Sequence, residues 1–106
     1  MMSCSKDPAE PLACYTLVER QCAMDPYQPY FKDIKTLDDR ARAIAAYLKD
    51  RSISPVTVIA NTPSTDAVCL ACICPDGYSY QVSVSVADTM TLKALDLMLI
   101  RAACEK

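Results

Sequence analysis

Three cysteines stand within six residues, Cys69, Cys72 and Cys74 of V68-C-L-A-C-I-C-P75, and four more lie at Cys4, Cys14, Cys22 and Cys104. So high a density leaves a chain of 106 residues two kinds of solution. One is a disulfide framework made in an oxidising compartment; the other is a thiol site, metal-binding or redox, in a reducing one. The choice turns on where the cluster's side chains point.

The flanking sequence predicts the placement. D66-A-V-C-L-A-C-I-C74 and Y78-S-Y-Q-V-S-V-S-V86 both read as strands, joined by Pro75-Asp76-Gly77, which holds the sole glycine of the chain. A type I turn closed by a left-handed glycine makes a hairpin of them, with Cys72 opposite Tyr80 and Cys74 opposite Tyr78. The second strand alternates, Tyr78, Tyr80, Val82, Val84 and Val86 against Ser79, Gln81, Ser83 and Ser85. Cys72 and Cys74 then face the apolar side and Cys69 the other, so the three form no single constellation.

That geometry weighs against the thiol readings. A zinc knuckle normally sits on a turn and needs a second pair of ligands, and no second Cys-x-x-Cys exists. A thioredoxin-like pair needs a helix to lower its thiol pKa, and here a strand follows Cys72. Neighbouring strand cysteines do not reach bridge geometry with one another. Each cluster cysteine is therefore expected to pair with one of Cys14, Cys22 and Cys104, in an order left open. The hairpin would be stapled twice to the N-terminal segment and once to the C-terminal element. The alternative stays in view: a cytosolic protein binding zinc or copper(I), or exchanging disulfides, through Cys69, Cys72 and Cys74.

Elsewhere the pattern is coarser. Residues 1–11 read as a polar tether and 12–106 as one α+β domain. Residues 12–24 read as a strand, with a short helix as the alternative. Asp25-Pro26 opens either an extended aromatic loop or a short helix capped by Asp25. T36 to R51 is an amphipathic helix with Leu37, Ala41, Ile44 and Leu48 on one face, a Thr36–Asp39 capping box and an Asp38–Arg42 pair. A strand follows over 56–60. Residues 87–104 read as a last helix whose polar stripe, Lys93, Asp96 and Arg101, is narrow. Its wide apolar face has two readings: burial against the sheet, or a homodimer interface through residues 90–104. The fold class expected is a two-layer sandwich, an antiparallel sheet of three to four strands with two main helices on one face, held by disulfides.

Several function classes drop out. The net charge of −2, with scattered Lys and Arg, lacks the basic stripe of a nucleic-acid binder. The absence of histidine removes Ser/His/Asp and Cys/His catalysis and the imidazole switch. One glycine cannot make a phosphate loop. Glu10, Glu19 and Glu105 show no pairing for acid–base work, and Asp76 reads as a turn residue. No cofactor motif is found, and the expectation is a non-enzyme. Tyr27, Tyr30 and Phe31, set between prolines, read either as a recognition surface or as cover for one edge of the core.

Q21-C-A-M-D-P-Y27 followed by V68-C-L-A-C-I-C-P75 resembles a group of small, exported, cysteine-rich bacterial domains of unknown function. Ser3-Cys4 before a polar tether also resembles the mature end of a bacterial lipoprotein, with Met1 where the lipobox has leucine. The resemblance implies an exported protein, periplasmic or at the cell surface, with Cys4 a candidate lipid anchor as its one link to the membrane. It implies no activity. The partner expected is an unidentified protein or envelope component.

Overall fold

The computed structural model describes residues 11–22, 24–55, 57–64 and 71–104. Four strands form one antiparallel sheet: β1 (Leu12–Arg20), β2 (Thr57–Ala60), β3 (Pro75–Ser85) and β4 (Met98–Ala102), in the order β2-β3-β1-β4. Two helices, α1 (Leu37–Asp50) and the short α2 (Thr89–Lys93), complete the α+β fold. Residues 1–10 of the expected tether lie outside the described residues, and its last residue, Pro11, accepts from the Val86 N–H at 3.3 Å.

Alternation builds the core. Ala13, Tyr15 and Leu17 of β1 lie opposite Val84, Val82 and Tyr80 of β3 and share one face of the sheet. Ile44, Tyr47 and Leu48 of α1 close over that face with Leu92 of α2, Tyr27 and Ile53. α1 starts where its sequence says it should: the Thr36 side chain accepts from the Asp39 N–H, and Asp39 reaches back to the Thr36 N–H. The surface pair differs from expectation. Arg42 bonds Asp39, one turn back at i,i+3, because the capping box has already fixed the Asp39 carboxylate.

Three expectations are corrected. The hairpin through Pro75-Asp76-Gly77 does not form: β3 begins at Pro75, and its neighbours are β2 and β1. Residues 71–74 make a turn closed by the Cys74 N–H on the Ala71 carbonyl, 2.8 Å; residues 65–70 lie outside the described set. Gly77 spends its left-handed φ of 102° on a bulge instead. The bulge brings the chain against Ser64, whose N–H donates to the Gly77 carbonyl at 2.8 Å. A Cβ on Gly77 would lie 2.4 Å from the Ser64 carbonyl oxygen. Gly77→Ala is therefore expected to cost about 2–3 kcal/mol, through both the strained φ and the clash. The urea midpoint measures it.

The second correction concerns residues 87–104. The helix ends at Lys93, and the chain re-enters the sheet as β4 against β1. Leu95, Leu97 and Leu99 pack on the core at a period of two. That alternation is hidden because Met98, between Leu97 and Leu99, and Ile100, just after them, are apolar as well. The narrow polar stripe is not one face: Lys93 ends α2, Asp96 lies in the connection and Arg101 is in β4. No helical dimer face exists over residues 90–104.

The third concerns Asp25. The following 3-10 turn, Gln28–Tyr30, has Tyr27 at its N-cap and no side-chain cap. Asp25 is buried and turned toward Arg20 instead.

Candidate functional site

The bridges come first, since they decide what the cysteines can do. Cys14 is bonded to Cys104 and Cys22 to Cys72, and Cys74 is disulfide-bonded too. The Cys22–Cys72 bridge joins the cluster to the N-terminal segment, as expected. The Cys14–Cys104 bridge corrects the scheme, because it joins two of the cysteines expected to serve the cluster. Its cause is the register: Cys14 pairs with Ala102 across β1 and β4, so Cys104 arrives beside the start of β1. Its sulfur lies 3.7 Å from the Leu12 carbonyl oxygen. Cys4 and Cys69 lie outside the described residues. Among the described residues no group of three or more acidic, cysteine or histidine side chains is placed to hold a metal.

The aromatic trio does not form a surface. Tyr27 is fully buried, and its ring lies edge-on to Tyr47 at 6.2 Å and tilted against Phe31 at 5.5 Å. Tyr30 and Phe31 are half-buried and packed against the core. These residues cover an edge of the core.

A buried polar cluster, missed in the sequence, sits at the bulge. Val18 faces Ser79 and Arg20 faces Pro75, so Glu19 alone stands against Asp76, Gly77 and Tyr78. Glu19 follows Ala13, Tyr15 and Leu17 on the inward face, and its side chain is 3% exposed. The Tyr80 hydroxyl donates to Glu19 Oε1 at 2.6 Å, Arg40 Nη2 donates to Oε2 at 2.6 Å, and Arg40 Nε donates to the Tyr80 oxygen at 3.0 Å. The guanidinium lies 3.7 Å from the Tyr78 ring centroid and 4.8 Å from that of Phe31. Beside this set, Arg20 binds Asp25 through Nε and Nη2, each at 2.7 Å, and Nη2 also donates to the Asp96 carbonyl. The Tyr27 hydroxyl and the Arg20 backbone N–H complete the Asp25 shell.

The bulge also turns Asp76 onto Glu19, with which it shares a hydrogen bond. Burial, that bond and the Glu19 charge push Asp76 up from 3.8 to about 7, against the pull of the Tyr78 N–H and Arg40. Burial and the bond to Glu19 likewise raise Tyr80, which stays a neutral donor.

A raised carboxyl binds its proton more tightly folded than unfolded. Its stabilising contribution is complete below the ordinary value of 3.8 and is lost as pH climbs through about 7. Asp76 is half-buried, so screening limits the change to about 1–2 kcal/mol. Asp76→Asn is expected to match the wild type in urea midpoint near pH 3 and exceed it at pH 8, the gap opening between about 4 and 7. Equal midpoints at both pH values would show that the two carboxyls share no proton.

Both Glu19 oxygens accept hydrogen bonds and its side chain is nearly enclosed, so its bonding is satisfied within the fold. A groove of about 610 Å³ lies on the sheet face away from α1, lined by Leu12, Cys14, Thr57, Ile59, Gln81 and Ala102 among others. No protein-family model, curated protein or solved structure matches the chain. No helix among the described residues is long and apolar enough to cross a membrane.

Proposed function

We propose that this is an exported, disulfide-stabilised domain that binds or builds structure at the bacterial cell envelope without catalysis. The reading is supported above all by the two long-range bridges, which close 90 and 50 residues of sequence and tie the cluster and the C-terminal strand back to the N-terminal region. Such bridges persist where the surroundings are oxidising. The buried cluster adds a second line: its hydrogen bonds are spent within the fold. The thiol reading needs Cys72 and Cys74 as free thiolates, and both are in disulfides.

The test is the thiol state of protein taken from its own cells, alkylated in denaturant without reductant and weighed intact after fractionation. Protected Cys14, Cys22, Cys72, Cys74 and Cys104 in an envelope or extracellular fraction support the proposal. Their quantitative alkylation, or recovery from the cytosol, overturns it. A lipid mass on Cys4 in a membrane fraction would establish the anchor.

A further inference from the structure

We propose that β4 pairs antiparallel with the β4 of a second copy, making a homodimer whose two-fold axis passes beside Ile100 and whose sheet runs unbroken through eight strands. β4 is an outer strand, and among the described residues its backbone partner is β1 alone. Among the described residues its other edge has no strand partner, and the N–H and C=O groups of such an edge template strand addition.

The usual protections of an edge are missing here. The strand M98-L-I-R-A102 has no proline and one charge. That charge, Arg101, leans over the Tyr15 ring at 5.6 Å rather than standing guard at the edge. The other outer strand, β2, flanks a hollow of about 270 Å³ rimmed by the charged side chains Asp38, Arg42 and Lys49 of α1. The β4 edge is also rigid, since the Cys14–Cys104 bridge fastens the end of β4 to β1.

Symmetry selects a second copy of this strand and its register. A two-fold axis normal to the sheet keeps each side chain on its own face, so paired positions must differ by an even number. Centring on Arg101 sets two guanidinium groups opposite one another, which is unfavourable. Centring on Leu99 leaves the end of the strand unpaired. Centring on Ile100 pairs all five residues: Met98 with Ala102, Leu99 with the stem of Arg101, and Ile100 with itself. Ile100 is 56% exposed in the single copy, and this register covers it. A five-residue edge is small as interfaces go, so the expected Kd is on the order of tens of micromolar.

Sedimentation equilibrium of the oxidised full chain, from about 1 µM to 1 mM, reads the association. A concentration-dependent dimer is expected, weakened about 10-fold or more by Ile100→Lys and unchanged by Ile59→Lys, which alters an equally exposed isoleucine on β2. Hydrogen exchange of the wild type gives an independent reading: the amides of 98–102 should slow as concentration rises. A single-copy mass throughout, a dimer indifferent to Ile100→Lys, one lost with Ile59→Lys, or unslowed β4 amides in a dimeric sample would each overturn the proposal.

Discussion

Replacing Cys14 and Cys104 together by alanine is expected to lower the unfolding free energy by about 4 kcal/mol, and removing Cys22 and Cys72 together by nearly as much. The magnitudes follow from loop length, 90 and 50 residues, which the bridges close in the unfolded chain. The dependence is logarithmic, so the two losses should be close despite the difference in span. Set against the roughly 5–15 kcal/mol that holds a domain of ordinary size folded, either loss is large and the two together are comparable with the whole. Each double variant should therefore keep its far-UV spectrum at 25 °C with a lowered urea midpoint, while reductant should unfold the wild type or nearly so. The Cys14/Cys104 variant should also lose hydrogen-exchange protection in β4 first, since that strand is joined to the sheet on one side only. An unchanged midpoint in either variant would show that the bridge constrains nothing the core does not already constrain.

Local rules carried the reading of the sequence as far as they apply. The alternation of 79–85 and the capping box at Thr36 are determined within a few residues, and both appear in the structure. β4 was legible in principle, because Leu95, Leu97 and Leu99 alternate. The outward Met98 and Ile100 erased the polar contrast on which a period is judged. The pairing of Cys14 with Cys104 is not legible at all, since it follows from the register of β1 against β4, and the sequence pattern reads as helix where β4 lies. The polar cluster lay between these cases. Counting inward positions from Ala13 through Leu17 puts Glu19 in the core, which is a usable signal of a buried charge with a partner. That Asp76, Tyr80 and Arg40 supply the partnership depends on a bulge opposite Glu19, and nothing near Glu19 announces it.

Arg40→Met should be among the costliest single substitutions in the molecule, about 3–5 kcal/mol, measured as a urea midpoint at constant slope. The reason is what it leaves behind. Glu19, with 3% of its side chain exposed, would lose its cation and keep the Tyr80 hydroxyl, while Tyr80 would lose the Arg40 Nε donor. Arg40→Lys should recover part of the loss but not all. An ammonium restores the charge, yet it lacks the planar fork that serves Glu19 and Tyr80 at once and the flat face that lies against Tyr78 and Phe31. Truncating both partners separates pair energy from stranded-charge energy. Glu19→Met combined with Arg40→Met should cost markedly less than the sum of the two single changes, a coupling of about 2–3 kcal/mol. Additive losses would mean that each side chain is held by its own packing and that the 2.6 Å contact between them is incidental to stability.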